Sequence, residues 1–304
     1  MRLVAFERAD GPHIGLVTDR GVTDLSALDP AAPRDLGDAI KQQQLDDIKR
    51  LATTAGDTVH YQLDDLDIAL PIATPGKILC LGLNYMDHVA EGPFDKQPFP
   101  ANFVRTTTSL VAANKPIKAT PHSVTLDYEA ELAVIIGKEC KDLTEDNALD
   151  VIAGYSCFND GSVREFQRHT VQWTMGKNFD QTGPFGPIIV TPDELPPAAA
   201  GLAIACRLNG QTVQSSNTSM MIYPVVESLV YITKAMTLEP GDVVMMGTPS
   251  GVGHARKPPL WMKDGDIVEV EIEGIGVLSN LVKAGCTYLS SRLIGPQVGR
   301  QAVF

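Results

Sequence analysis

The sequence predicts an α+β fold that is rich in β-strands. Beyond Pro75 the chain consists mainly of short apolar runs separated by glycine and proline turns, which is typical of strands joined by tight connections. One longer segment, Ile222 to Met236, carries its apolar residues on a single stripe and predicts an internal helix. The runs predicted as strands are 188–190, 202–208, 243–246, 267–273 and 275–278.

The N-terminal segment is predicted to form a small α+β domain over residues 1–72, followed by a larger domain over 73–304. Residues 2–6 and 13–18 flank a Gly-Pro turn and are expected to pair as a hairpin. The spacing of apolar residues between Leu36 and Ala55 predicts a helix. The pattern does not assign a function to this domain, and support or assembly is the expected role.

Composition and charge indicate a globular protein. The 304 residues are 44% hydrophobic and 20% charged, and the net charge of −12 argues against nucleic acid as a partner. No apolar run reaches transmembrane length, so no membrane partner is expected, and the first residues lack the apolar core of a signal peptide. Five widely spaced cysteines without a CxxC pair favour a reducing compartment, which predicts a cytoplasmic location.

Two glutamates inside an apolar run are the strongest local signal. Glu129 and Glu131 alternate with Tyr128, Ala130 and Leu132, so both carboxylates are expected on one face of a strand. Two like charges there are costly unless a cation lies between them, and a divalent cation with oxygen ligands is the usual solution. The alternative is an exposed strand edge that these charges keep soluble.

A third acid follows about thirty residues later. Residues 152–161 predict a buried strand that ends in Asn-Asp-Gly, and a helix is expected over 162–170. Asp160, Arg164 and Gln167 would then share one face of that helix and its first turn. Asp160 can equally be an N-cap. Together with the two glutamates, it forms a plausible three-carboxylate site for Mg²⁺ or Mn²⁺.

Five motifs in order resemble the fumarylacetoacetate hydrolase superfamily. They are Lys77 to Glu91, Asp127 to Lys138, Gly154 to Asp160, Gly176 to Asp180 with Gly186-Pro187, and Gly241 to Gly253. The resemblance implies a mixed β-roll, usually preceded by a small N-terminal domain, and a Mg²⁺-dependent enzyme that cleaves, decarboxylates, hydrates or tautomerises 2-oxo acids. One departure lies behind Asp160, where Gly161 replaces the valine that is frequent in the family.

The resemblance also assigns roles to residues outside the carboxylate group. His88 and Glu91, three residues apart in a short predicted helix, match a base and its orienting carboxylate on a mobile lid that would continue into residues 92–100. Lys177 matches a lysine that stabilises negative charge on the substrate. Without the resemblance, these residues would be interpreted as a solvent-facing polar pair and a surface lysine.

Three further residues are candidates for substrate binding. Thr248, in a glycine-rich loop, matches the threonine that binds the substrate carboxylate in the family, although a structural turn is the alternative. Arg164 and Gln167 are expected to bind substrate beside it. His122, His169 and His254 show no partner in the pattern and are interpreted as surface or loop histidines.

The resemblance implies a hydrolase that breaks a C–C bond in an acylpyruvate-type acid such as fumarylpyruvate, with a role in aromatic catabolism. His88 would activate the attacking water, with Mg²⁺, or Mn²⁺ in its place, as cofactor. Decarboxylation, hydration or tautomerisation of a 2-oxo acid such as oxaloacetate is the alternative. A non-catalytic ligand-binding protein is a third reading. The family commonly forms dimers, so a homodimer is expected.

Overall fold

The computed structural model describes residues 1–91 and 96–285, and it is dominated by strands. The strands are β1 (Arg2–Arg8), β2 (Gly11–Thr18), β3 (Gly21–Asp24), β4 (Asp67–Ile68), β5 (Ile78–Gly82), β6 (Ala101–Val104), β7 (Leu110–Ala112), β8 (Ile117–Ala119), β9 (Leu126–Asp127), β10 (Ala130–Ile136), β11 (Ile152–Asn159), β12 (Ser162–Val163), β13 (Gly183–Val190), β14 (Ala203–Leu208), β15 (Gln211–Asn217), β16 (Val243–Met245), β17 (Ile267–Ile272) and β18 (Gly276–Ala284). The helices are α1 (Leu25–Leu28), α2 (Leu36–Lys41), α3 (Leu45–Ala55), α4 (Met86–Glu91), α5 (Arg164–Gln167), α6 (Thr174–Lys177) and α7 (Val225–Ala235). The predicted β-rich α+β fold is confirmed.

One large mixed sheet runs through the molecule. Its main strand order is β3-β2-β1-β13-β11-β10-β16-β5-β6, with β4 beside β1 and β7 beside β13. The predicted N-terminal hairpin forms from β1 and β2, and β1 pairs antiparallel with β13 through Arg2 and Val190. The N-terminal segment therefore extends the sheet of the larger segment, and the domain boundary at residue 72 stays a prediction.

A second sheet contains the strands predicted at 202–208, 267–273 and 275–278. Its order is β15-β14-β17-β18-β8. Apolar residues of both sheets, such as Leu132, Cys206 and Leu278, are buried in one shared core. A second core lies under α1, α2 and α3, which cover the other face of the large sheet. The two cores bury both faces of β10, whose seven residues are all buried.

Two helix predictions need correction. The helix predicted from Leu36 to Ala55 is two helices, because Gln43 takes a left-handed conformation with a φ of 60° that ends the first. The helix predicted over 162–170 is wrong outside Arg164–Gln167, because Ser162 and Val163 pair with β9 instead. Asp160 therefore lies in the turn after β11 and not on a helical face.

Other predictions hold within narrow limits. Helix α7 and the strands predicted at 202–208, 243–246 and 267–273 begin and end close to their predicted bounds. Strand β13 begins at Gly183, well before the predicted 188, and β18 extends to Ala284. Within the described ranges, no helix is long and apolar enough to span a bilayer. Cys80, Cys140, Cys157 and Cys206 are buried free thiols. Cys286 and residues 92–95 of the predicted lid lie outside the described residues.

Candidate active site

The three predicted carboxylates come together at the ends of two central strands. Glu129 directly precedes β10, Glu131 is in β10, and Asp160 follows β11. The antiparallel register pairs Ala130 with Asn159, and the Asp160 amide donates to the Glu129 carbonyl at 2.8 Å. Glu129, Glu131 and Asp160 are all buried, and each has a carboxylate oxygen within 4.8 Å of one from each of the others.

Buried cations neutralise two of these carboxylates. The Lys177 ammonium lies 2.7 Å from Glu129 Oε2 and 2.6 Å from Asp160 Oδ2. Arg164 lies 2.6 Å from the other oxygen of Glu129. The guanidinium of Arg105 contacts the other oxygen of Asp160. Burial works against charge on Glu129, but the charges of Lys177 and Arg164 hold the pKa of its carboxyl well below the usual range.

Glu131 is the carboxylate without a cation. Its one hydrogen-bond partner among the described residues is the Gly247 amide, which donates to Oε2 at 2.9 Å. Burial, together with the charges of Asp160 and Glu129, raises the pKa of its carboxyl. Counting Asp127 behind the site, three buried cations contact three of the four buried carboxylates, so Glu131 would carry a surplus negative charge whenever it is ionised.

This donor set fits a hard divalent cation. Three carboxylates offer oxygen ligands from one small region, and the surplus charge lies on the member that no cation contacts. Mg²⁺ and Mn²⁺ prefer such oxygen ligands, and a divalent ion would offset the repulsion that raises the pKa of Glu131. The residues present therefore match the predicted metal site.

Arg105 is a member of the site that the sequence did not reveal. Its side chain is fully buried, and besides Asp160 it contacts Ser109 Oγ, the Gly161 carbonyl and Thr182 Oγ1, each at 3.1 Å. These contacts fix the carboxylate of Asp160 in one orientation. No local sequence pattern indicates these contacts, because Arg105 follows a short strand and its partners lie up to 77 residues away.

Asp127 is a second residue whose role the sequence did not show. Its buried carboxylate accepts hydrogen bonds from Arg164 Nε at 2.8 Å, the Gly253 amide at 2.8 Å and the His254 amide at 3.0 Å. Asp127 thereby joins the guanidinium that contacts Glu129 to the loop after Thr248. It is interpreted as a positioning residue, because it acts through Arg164 and this loop.

Helix α4 carries the predicted base. His88 Nδ1 lies 3.3 Å from Glu91 Oε2, and the other oxygen of Glu91 accepts from the Gly251 amide at 2.6 Å. Asp87 accepts from Ser250 Oγ at 2.9 Å. The helix is thus tied to the glycine-rich loop, and the bond to Glu91 leaves Nε2 of His88 available for proton exchange.

A glycine sets the position of Lys177. A Cβ at Gly176 would lie 2.4 Å from Gln167 Cβ, so this residue lets α6 pack directly on α5. Gln167 in turn accepts from Arg164 Nη1 at 2.9 Å through its carbonyl oxygen, and no group of the described residues accepts from its amide N–H groups. The pKa of the Lys177 ammonium is raised because the charges of Asp160 and Glu129 outweigh its burial.

Thr248 lies in the loop that follows β16 and lines the same cavity as Glu129 and Glu131. Its Oγ1 accepts from Gln214 Nε2 at 2.8 Å, so its own hydroxyl hydrogen can be donated to a ligand. The chain turns at Gly247 with a φ of 84°, where a Cβ would lie 2.7 Å from Asn84 Cβ. Glycine is therefore required at this turn.

Glu129, Glu131, Lys177 and the predicted base His88 line one cavity of about 80 Å³, which is room for a small ligand. Its polar lining includes Arg164, Gln167, Arg168, Thr248 and His254, and its apolar lining includes Leu81, Leu83, Phe103 and Trp173. His254, which the sequence pattern gave no partner, lines this cavity, and its amide donates to Asp127 at 3.0 Å.

Comparison with known proteins identifies the family. Residues 77–283 match the family model described as "Fumarylacetoacetate (FAA) hydrolase C-terminal". The chain belongs to the fumarylacetoacetate hydrolase family. The resemblance found in the motifs is therefore confirmed, and the protein is a metal-dependent enzyme of this family.

Relatives in the family carry different activities. A mitochondrial oxaloacetate tautomerase of Xenopus laevis is 39% identical over 93% of this chain and 90% of its own length. A mitochondrial oxaloacetate tautomerase of Homo sapiens is 37% identical, with coverage of 93% and 91%. These relatives are named for tautomerisation and not for hydrolysis.

Solved structures include hydrolases. A fumarylacetoacetate hydrolase from Exiguobacterium antarcticum is 35% identical with a TM-score of 0.79, over 94% of this chain and all of its own. A maleylpyruvate hydrolase from a Sphingobium species, in complex with a manganese(II) ion and pyruvate, is 28% identical with a TM-score of 0.77 and the same coverage. A resident Mg²⁺, as opposed to another divalent ion, stays a prediction.

The structure thus brings every predicted site residue to one cavity or its floor. His88, Glu91, Arg164, Gln167, Lys177 and Thr248 line it together with Glu129 and Glu131, and Asp160 lies beneath Lys177. Their catalytic, substrate-binding and metal-binding roles stay predictions. The fold brings five residues to the site that the sequence did not assign to it: Arg105, Asp127, Arg168, Trp173 and His254.

Proposed function

We propose that the protein is a metal-dependent tautomerase that interconverts the enol and keto forms of oxaloacetate. The similarity to oxaloacetate tautomerases over 93% of the chain carries this proposal. It departs from the acylpyruvate hydrolysis that we expected from the motifs, and it agrees with the alternative stated there.

The reaction moves one proton and leaves the carbon skeleton intact. Going from enol to keto, the O–H bond at C2 breaks and a C–H bond forms at C3, with no change of oxidation state. A divalent cation, when bound by Glu129, Glu131 and Asp160, would stabilise negative charge on the C2 oxygen and the adjacent carboxylate. Both directions therefore need a base and an acid close to C3 and to the C2 oxygen.

Residues of this chain supply these groups. Nε2 of His88 would exchange the proton at C3, with Glu91 holding the ring through Nδ1 at 3.3 Å. Lys177, fixed between Glu129 and Asp160, would donate to the C2 oxygen. The Thr248 hydroxyl would donate to the substrate carboxylate next to C2. The apolar lining residues Leu81, Phe103 and Trp173 would exclude water from C3.

Hydrolysis is the second candidate, because the same base could activate water. The pair of His88 and Glu91 has the geometry of an oriented general base, and two structurally similar proteins are named as hydrolases. The two reactions differ in products. Hydrolysis of an acylpyruvate gives pyruvate and a second acid, whereas tautomerisation changes the enol content alone.

One assay separates these possibilities. The purified protein with Mg²⁺ or Mn²⁺ is added to freshly dissolved enol oxaloacetate, and the decay of the enol absorbance is compared with the buffer rate. The proposal predicts rapid decay without formation of pyruvate or CO₂. Decay no faster than buffer, combined with cleavage of acylpyruvates, would replace tautomerisation with hydrolysis.

Assembly and location remain separate proposals. We expect a homodimer, which light scattering at micromolar concentration would test, and a monomer there would contradict it. The cytoplasmic location predicted from cysteine usage also stays a proposal, and the tautomerases of Xenopus laevis and Homo sapiens are named as mitochondrial.

A further inference from the structure

Among the described residues, one arginine that lines the cavity forms no ion pair with a buried acid. Lys177 and Arg164 line it, but they contact Glu129 and either Asp160 or Asp127, and their side chains are 2% and 5% exposed. Arg168 also lines the cavity, and it is exposed. Among the described residues, its guanidinium has no ion-pair partner. Its charge is therefore available to a ligand.

The backbone holds Arg168 at a fixed place. Arg168 caps the C-terminus of α5, where its amide donates to the carbonyls of Glu165 and Phe166. Helix α5 is packed on α6 through Gly176, at which any Cβ would collide with Gln167. Arg168 thus directly follows Gln167 on a short element that is packed against α6, and both residues line the cavity.

The positions of the charged groups determine where each end of a substrate binds. The 2-oxo acid end must lie against Glu129, Glu131 and Asp160 at the floor, where the metal site is expected. A second carboxylate on C4 extends away from that floor. The apolar lining residues Leu81, Phe103 and Trp173 cannot bind this carboxylate, whereas Arg168 can bind it through two parallel hydrogen bonds.

We propose that Arg168 is the specificity-determining residue that binds the carboxylate of a dicarboxylic 2-oxo acid remote from the metal end. This inference rests on the proposed 2-oxo acid chemistry of the site and adds the class of substrate that the site prefers. Gln167 donates a further hydrogen bond at the same place. A 2-oxo acid without the second carboxylate leaves Arg168 solvated and binds more weakly.

The test compares two substrates that differ in one charge. Oxaloacetate and its 4-methyl ester share the 2-oxo acid end, but the ester lacks the remote carboxylate. Arg168→Gln is expected to raise KM for oxaloacetate by about 10- to 100-fold, to change kcat little, and to leave the ester unaffected. Arg168→Lys should recover part of the loss, because it keeps the charge without the fork. Arg50→Gln, which removes an exposed arginine of α3, is the matched control and should match the wild type.

Equilibrium binding separates this inference from the proposed function. Calorimetric titration of the Mn²⁺-loaded proteins with both compounds gives the ratio of their affinities without turnover. A ratio that favours oxaloacetate and collapses in Arg168→Gln supports the inference even if no tautomerisation occurs. Equal losses for both compounds, no loss for either, or no binding to the wild type would overturn it.

Discussion

Two polar clusters of this protein each contain a buried carboxylate but differ in how the carboxylates are paired. In the N-terminal segment, His13 lies 2.8 Å from Asp24 and 3.0 Å from Asp10, and Arg34 contacts Asp10. The second oxygen of Asp24 accepts from the Ser26 amide at 2.9 Å. All four carboxylate oxygens therefore have partners within the protein.

In the active-site cluster, one carboxylate is not paired with a cation. Glu131 has an amide partner but no cation, and it faces a cavity with two further carboxylates beside it. A buried polar group is costly unless it is satisfied, so a surplus charge next to a cavity indicates a ligand that balances it. A structural cluster therefore differs from a binding site in whether every carboxylate has a charge partner within the protein, and not in the burial of acids as such.

The largest effect is expected from Asp160→Asn. This change removes the carboxylate that Arg105 and Lys177 share and takes away one predicted metal ligand. We expect activity to fall by at least ~10³-fold, since metal-assisted charge stabilisation is worth several kcal/mol. Steady-state rates with Mn²⁺ at several concentrations check this. Near wild-type activity at low Mn²⁺ would remove Asp160 from the metal site.

His88→Ala should have the next largest effect. The imidazole is expected to move the proton at C3, so kcat should fall by about 10²-fold or more. Binding of Mn²⁺ should be unchanged, because His88 is not among the three carboxylates. Rates and metal titrations on the same preparation test both statements. A variant that still tautomerises oxaloacetate at the wild-type rate would assign the proton transfer to another group.

Glu91→Gln should be milder. The amide can still accept from the Gly251 amide and contact His88, but the negative charge beside the ring is lost. We expect a loss of about 10-fold in kcat with little change in KM. Steady-state rates measure both constants. An unchanged kcat would show that Glu91 serves only to anchor α4.

The sequence predicted the parts of this site that have a local pattern. Alternation placed Glu129 and Glu131 together, and the Asn-Asp-Gly strand end indicated Asp160. The contacts of Arg105 and Asp127 could not be predicted, because a single arginine or aspartate carries no periodic signal and their partners are distant in the chain. The helix expected over 162–170 failed because pairing of Ser162 and Val163 with β9 overrode local preference.

The smallest effect on activity is expected from Asp24→Asn in the cluster of the N-terminal segment. The change keeps the size of the side chain but removes the charge that faces His13. We expect the free energy of unfolding to fall by about 1–3 kcal/mol, with activity and metal binding intact. Denaturant unfolding measures the loss. A large drop in activity without a drop in stability would mean that this cluster contributes to function.

We expect the carboxylate of Glu131 to complete a site for a divalent cation. Glu131→Gln is the sharpest variant, because it removes the charge, keeps an acceptor for the Gly247 amide and breaks no ion pair. Titration with Mn²⁺, followed by electron paramagnetic resonance, should show one bound ion per chain in the wild type and in Asp24→Asn, and much weaker binding in Glu131→Gln. Equal Mn²⁺ binding in Glu131→Gln and the wild type would contradict the account.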